Sequence, residues 1–159
     1  MKHWWSAILI VVSTFTFADE VKELYWEDLV PNGYVIPDLG IDHGDAMMGG
    51  NMMQSEPNAP LVEALDGTRV KIPGFVVPLE GDPDSITEFL LVPYFGACIH
   101  VPPPPSNQIV YVKFTDGVAI ENLYDAVWVE GRLSTDGWVG EIASVGYRLS
   151  GIDIMPFEG

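Results

Sequence analysis

Cysteine is nearly absent, with Cys98 the only one in 159 residues. A single thiol forms no intramolecular disulfide, so the apolar core must hold the fold, and in an oxidising compartment the thiol is buried, bound or chemically used. Positive charge is scarce too: seven Lys and Arg stand against 23 Asp and Glu, for a formal net charge of −16. That balance repels nucleic acid and anionic membranes and admits cations and cationic partners, although a soluble exported protein with a charged surface accounts for it by itself. The chain has no glycine-rich phosphate loop, no nucleophile elbow, no His-Glu-x-x-His helix and no internal repeat, which removes the commonest nucleotide, hydrolase and metalloprotease signatures.

The start of the chain reads as an export signal. Lys2 precedes the apolar run from Ala7 to Val12, and Thr16 and Ala18 provide a small-x-small cleavage site. The run is too short for a comfortable transmembrane span. Cleavage after Ala18 is expected, into the periplasm, with no N-terminal lipid because no cysteine lies near the cut. The length remaining beyond Ala18 suits one domain of ordinary size.

Residues 19–58 read as an arm and a linker. Val21, Leu24, Tyr25 and Leu29 at roughly helical spacing predict a short amphipathic helix over 19–29, stopped by Pro31-Asn32-Gly33. From Val30 to Pro60 the chain is rich in Pro, Gly, Asn, Asp and Met and shows neither period. Residues 59–159 read as the domain proper. A helical turn or two at 59–65 ends at Asp66-Gly67, and β-rich segments follow at 68–79, 86–94, 107–114, 126–133 and 138–154. Pro73-Gly74 forces a kink in the first of these, and Gly146 a bend in the last. The expected fold is mainly β: a five-stranded, partly open, OB-like barrel, with a sandwich as runner-up. The insert at 119–124 has the length of a short helix that plugs a barrel end.

The chemistry concentrates in Phe95-Gly-Ala-Cys98-Ile-His100-Val-Pro102-Pro103-Pro104-Pro105-Ser-Asn107-Gln108. Four successive prolines fix φ near −65° and offer no N–H, so they form a stiff extended segment unable to pair inside a sheet. Cys98 and His100, two apart, share one side of an extended backbone, and a thiolate and an imidazole can meet one ion. A zinc site needs about four ligands. His43 is the other histidine beyond the signal, and Asp42 or Asp45 beside it could complete the shell. A structural reading stands alongside: Cys98 as a small buried residue, His100 bonded to a carbonyl. Met47, Met48, Met52 and Met53 with His43 suit copper(I), although a loop lying on an apolar surface explains them as well. Cys98 as a nucleophile with His100 as base is a third reading, without a visible orienting group. Asn107 and Gln108 are expected to close the loop through carbonyls left without partners. Trp26, Trp128 and Trp138 could stack on a ligand at a barrel mouth, or belong to the core. Asp82 and Asp84 are explained by solvation in a turn.

The segments Leu24-Tyr-Trp-Glu-Asp-Leu-Val-Pro31, Leu65-Asp-Gly67, Val70-Lys-Ile-Pro-Gly-Phe-Val-Val-Pro-Leu79, Glu88 through Pro105 with Asn107-Gln108, and Val127-Trp-Val-Glu-Gly131 resemble a bacterial family of exported proteins and lipoproteins classed as a domain of unknown function. The resemblance spans most of the chain beyond the signal except the Met-rich linker. It implies a setting similar to accessory proteins of zinc-regulated ABC-type transport systems in the Gram-negative envelope, and it places the motif cysteine and histidine at Cys98 and His100. The resulting expectation is a non-catalytic periplasmic protein that binds a divalent metal, zinc ahead of copper, through Cys98, His100 and His43. Its partners would be ABC-type transporter components or another envelope protein, or a second copy bridged by the metal. The competing expectation is a metal-free interaction module that docks through its polyproline edge.

Overall fold

The computed structural model describes residues 20–36, 53–82, 84–99 and 101–158. Its strands in chain order are β1 (Lys22–Glu23), β2 (Arg69–Asp82), β3 (Ser85–Val92), β4 (Val110–Val118), β5 (Val127–Ser134), β6 (Trp138–Val139), β7 (Ser144–Val145) and β8 (Tyr147–Pro156). Helix is confined among the described residues to 3-10 turns at Trp26–Leu29, Glu63–Leu65 and Ser106–Gln108, and none of these residues forms a helix long and apolar enough to cross a membrane.

Five strands close a barrel in the order β2-β3-β4-β8-β5, with β5 returning to β2. The pairings are antiparallel except β4 with β8, which run parallel. This is the expected mainly β, five-stranded OB-like barrel, with the ring closed where a partly open one was expected. The long β2 makes closure feasible, because its first half pairs with β5 and its second half with β3. The change of partner falls at Pro73-Gly74, between Gly74↔Val127 and Phe75↔Val92. A proline that cannot donate is tolerated where the ladder switches, and the glycine admits the close approach: a Cβ on Gly74 would lie 2.7 Å from the Val92 carbonyl oxygen.

Alternation fills the interior. Val70 and Ile72 of β2, Phe89 and Leu91 of β3, Val112 of β4, Val129 of β5 and Leu149 of β8 form one buried cluster. A second cluster lies on the opposite face of the β3–β4 pair, where Leu90, Val92 and Tyr111 pack with Val77, Ala97, Ile109, Ala143 and Val145. The β6–β7 hairpin and the β3–β4 loop cover this face. Trp138 of the hairpin stacks on Tyr111 at 4.8 Å between ring centroids.

Three expected elements differ. The arm helix is replaced over the described part of 19–29 by β1 and one 3-10 turn. β1 lies parallel to β2 along the edge that β3 does not reach, and Leu24 N donates to Lys71 O at 3.0 Å, so sheet pairing overrides helical spacing. The 119–124 insert is turns and bends, not a plugging helix, with Ile120 packed on the core instead. The fifth segment is split: β6 and β7 form their own hairpin, and the barrel strand starts after Gly146. Residues 1–19, the site of the export-signal expectation, lie outside the described residues.

Candidate functional site

The connection between β3 and β4, residues 93–109, is fastened at both ends. Near its start Ala97 N donates to Tyr94 O, and both Ile99 N and Val101 N donate to Gly96 O, at 3.2 and 3.4 Å, which folds the chain into a tight turn. Within that turn Cys98 has φ +65°, the only non-glycine among the described residues in the left-handed region. This overturns the argument from an extended backbone, since a left-handed residue does not place the side chains at 98 and 100 on one side by alternation. His100 itself lies outside the described residues, as do His43, Asp42, Asp45, Met47, Met48 and Met52. Met53 is described and exposed.

Cys98 is half-buried and unoxidised, resting against the second core cluster. Burial pushes its thiol up to about 12. The Tyr94 hydroxyl is also raised, chiefly by burial and then by the charge Cys98 would carry; it is enclosed and has no hydrogen-bond partner among the described residues. Both groups are therefore held neutral. Such a thiol is the reverse of an activated nucleophile, whose thiolate needs a neighbouring cation or helix N-terminus. Among the described residues no group of three or more His, Cys, Asp and Glu is placed to hold a metal.

The second half of the connection is buried. Pro103, Pro104 and Pro105 are enclosed and Pro102 half-enclosed, so the proline run presents no free edge to a partner. Gln54, which the sequence pattern leaves inside a featureless linker, clamps it: Nε2 donates to Pro104 O and Ser144 O, both at 2.8 Å, while Oε1 accepts from Ser144 N at 2.9 Å. Asn107 and Gln108 do bond to carbonyls, through Asn107 Nδ2 to Pro60 O at 2.9 Å and Gln108 Nε2 to Trp26 O at 3.0 Å. The carbonyls belong to the preceding segments, so these amides tie the arm to the barrel. Ser106 adds three links: its N–H donates to Glu56 O, its Oγ accepts from Ala59 N, and its carbonyl accepts from Gly146 N.

The three tryptophans among the described residues have separate settings. Trp26 packs on the core, Trp138 covers Tyr111, and Trp128 faces outward with Lys71 Nζ 4.6 Å from its ring centre. Asp82 accepts from Asp84 N at 3.0 Å, a local turn contact. A cleft on β4 and β8 holds Lys113 and Arg148 beside Asp136, but Lys113 is paired with Glu88 at 2.5 Å, so the cleft has little net attraction for an anion. Exposed apolar side chains flank the Cys98 turn instead, with Phe95 51% and Ile99 52% exposed.

A family described as a protein of unknown function, DUF3299, matches residues 26–156. A crystal structure of a DUF3299 family protein from Pseudomonas aeruginosa PAO1 is 45% identical, with a TM-score of 0.75, covering 88% of this chain and 98% of that one. No curated protein matches the sequence.

Proposed function

Because this chain belongs to the DUF3299 family, a family of unknown function, we propose that it acts by binding rather than by covalent chemistry, as a periplasmic accessory protein that holds a divalent metal through Cys98 and His100. The observation that supports this reading is the backbone at Cys98. A left-handed φ costs an ordinary residue about 1–2 kcal/mol and persists only where the surroundings over-determine it, commonly at functional positions. Here the turn bonded to Gly96 and the buried prolines impose it. They fix the position of a thiol that has no disulfide and, among the described residues, no cation acting on it.

Zinc is the first choice of ion, since a thiolate and an imidazole are its ordinary ligands, and His43 is the proposed third. Copper(I) would draw on the Met-rich segment. A bridged pair of chains, each giving Cys98 and His100, would also supply four ligands. The expected setting is metal homeostasis or transport beside ABC-type transporter components. Nucleophilic catalysis is not proposed, because burial holds the metal-free thiol protonated, whereas a bound zinc ion would displace that proton and take the thiolate.

The test is elemental analysis of untagged protein taken from the periplasm, alongside Cys98→Ser and His100→Ala. The expected result is zinc near one per chain, or one per two chains, lost in both variants. Metal-free protein that takes up no zinc on titration and keeps an inaccessible thiol would overturn the proposal.

A further inference from the structure

Aromatic side chains from separate parts of the chain converge on one outer face. Tyr25 of the arm meets Trp128 of β5 edge-on at 5.7 Å, and Trp128 meets Phe157, after β8, at 5.3 Å. Phe75 of β2 meets Phe95 of the β3–β4 loop at 6.1 Å, and Phe95 meets Tyr124 of the insert at 5.5 Å. The two runs lie on the same side of β2, where buried Pro73 pairs with Trp128 and Phe75 follows two residues later, packed on the second core cluster. Tyr25 is 41%, Phe95 51% and Tyr124 73% exposed. Exposed aromatics grouped on one side of a domain mark interaction sites.

Charge selects the occupant. Glu23 and Glu27 flank Tyr25, Asp125 follows Tyr124, and Glu158 follows Phe157, all exposed. The cation seen on the stripe is Lys71, held over Trp128 at 4.6 Å and paired with Glu23 at 2.8 Å. The chain thus already contains the contact it offers: a cation on an aromatic face with a carboxylate behind it. A second copy of a chain with net charge −16 is repelled, as are nucleic acid and an anionic bilayer.

We propose that this stripe docks a basic segment of a partner protein, whose Lys or Arg stems lie along the rings while their charged ends meet the rim carboxylates. None of the residues involved is a proposed metal ligand, so the inference stands apart from the metal reading.

The test uses the protein purified from the periplasm and two fluorescein-labelled twelve-residue peptides, one alternating Arg and Leu, the other Ser and Leu. At low salt the Arg peptide is expected to bind at least tenfold more tightly than the Ser peptide and to weaken as salt rises. Phe95→Ala with Tyr124→Ala should cost about tenfold, and Tyr124→Ala alone severalfold, with far-ultraviolet circular dichroism unchanged. Asp125→Asn with Glu158→Gln should cost severalfold, whereas Asp82→Asn with Asp84→Asn, in the β2–β3 turn, should cost nothing. Three results would overturn the inference: equal binding by the aromatic variants, which leaves only diffuse attraction to an acidic surface; equal loss from both carboxylate pairs; or binding of the Ser peptide as tight as that of the Arg peptide.

Discussion

Replacing Tyr147 by phenylalanine removes one oxygen and strands two backbone groups. Tyr147 is fully enclosed; its hydroxyl donates to Leu29 O at 2.8 Å and accepts from Val62 N at 2.7 Å. One side chain of β8 therefore pins both the end of the arm turn and the start of the Glu63–Leu65 turn to the barrel floor. A buried backbone group left unpaired costs about 1–3 kcal/mol, and the ring itself is unchanged, so no cavity term enters. Two such groups, one of them partly accessible to water, give an expected loss of about 2–4 kcal/mol. For a domain of this size that lowers Tm by roughly 6–12 °C. Urea unfolding of the wild type and Tyr147→Phe measures the difference, and amide exchange of Val62 locates it, since that N–H should lose most of its protection while β3 and β4 keep theirs. A loss below about 1 kcal/mol, or unchanged protection at Val62, would refute the reasoning.

Gly74→Ala places a Cβ 2.7 Å from Val92 O and 2.9 Å from the Leu91 side chain at the point where β2 changes partners; the expected cost is about 1–3 kcal/mol in thermal or urea unfolding. Cys98, its thiol pushed up to about 12 by burial, should be alkylated slowly at pH 8 in the metal-free protein, about tenfold faster per pH unit above that, and fully once unfolded; fast modification at neutral pH would contradict the burial. Tyr34 and Tyr111 should titrate late. Burial first, then Glu56 for Tyr34 and Glu88 for Tyr111, raises these two hydroxyls to about 12. Because the folded values lie above the unfolded value near 10, the stability they add is intact below about pH 10 and is lost as pH rises toward 12. Absorbance at alkaline pH should show phenolate appearing together with unfolding.

The barrel is legible in the sequence because its strands obey simple rules. Val70 and Ile72 alternate, Gly-Asp-Pro-Asp separates two apolar runs, and Pro73-Gly74 marks a place where a strand must bend. The unbroken run Phe89-Leu90-Leu91-Val92 carries a further signal: a strand apolar at every position is buried on both faces, and the second cluster is what covers it. Other features leave no local trace. β1 is a strand only because β2 has a vacant edge at Val70 and Lys71; nothing in Lys22-Glu23 demands it. Gln54 clamps residues 50 and 90 positions away, a relation no sequence window contains. Composition makes the prolines a stiff rim; their apolar rings nevertheless go inward. Cys98 carries none of the marks of a left-handed residue, which are Gly, Asn and Asp, so its conformation is imposed by the turn around it. Residue type alone draws attention to the Cys98 loop, whereas the aromatic stripe escapes a linear reading because its members are scattered along the whole chain.

A closed ring of strands has no ends. With β5 bonded back to β2 and β1 filling the stretch of β2 at Val70 and Lys71 that β3 does not reach, each of the five barrel strands is paired on both sides over part of its length; β1, β6 and β7 are two residues each, too short to template an added strand. Envelope chaperones and PDZ-like modules capture partners by extending a sheet. Closure confines the edge open to that route, or to stacking with its own copies, to the ends of β2, β4 and β8 that carry one partner strand each. Most of the barrel's outer surface is therefore defined by side chains, not by open backbone.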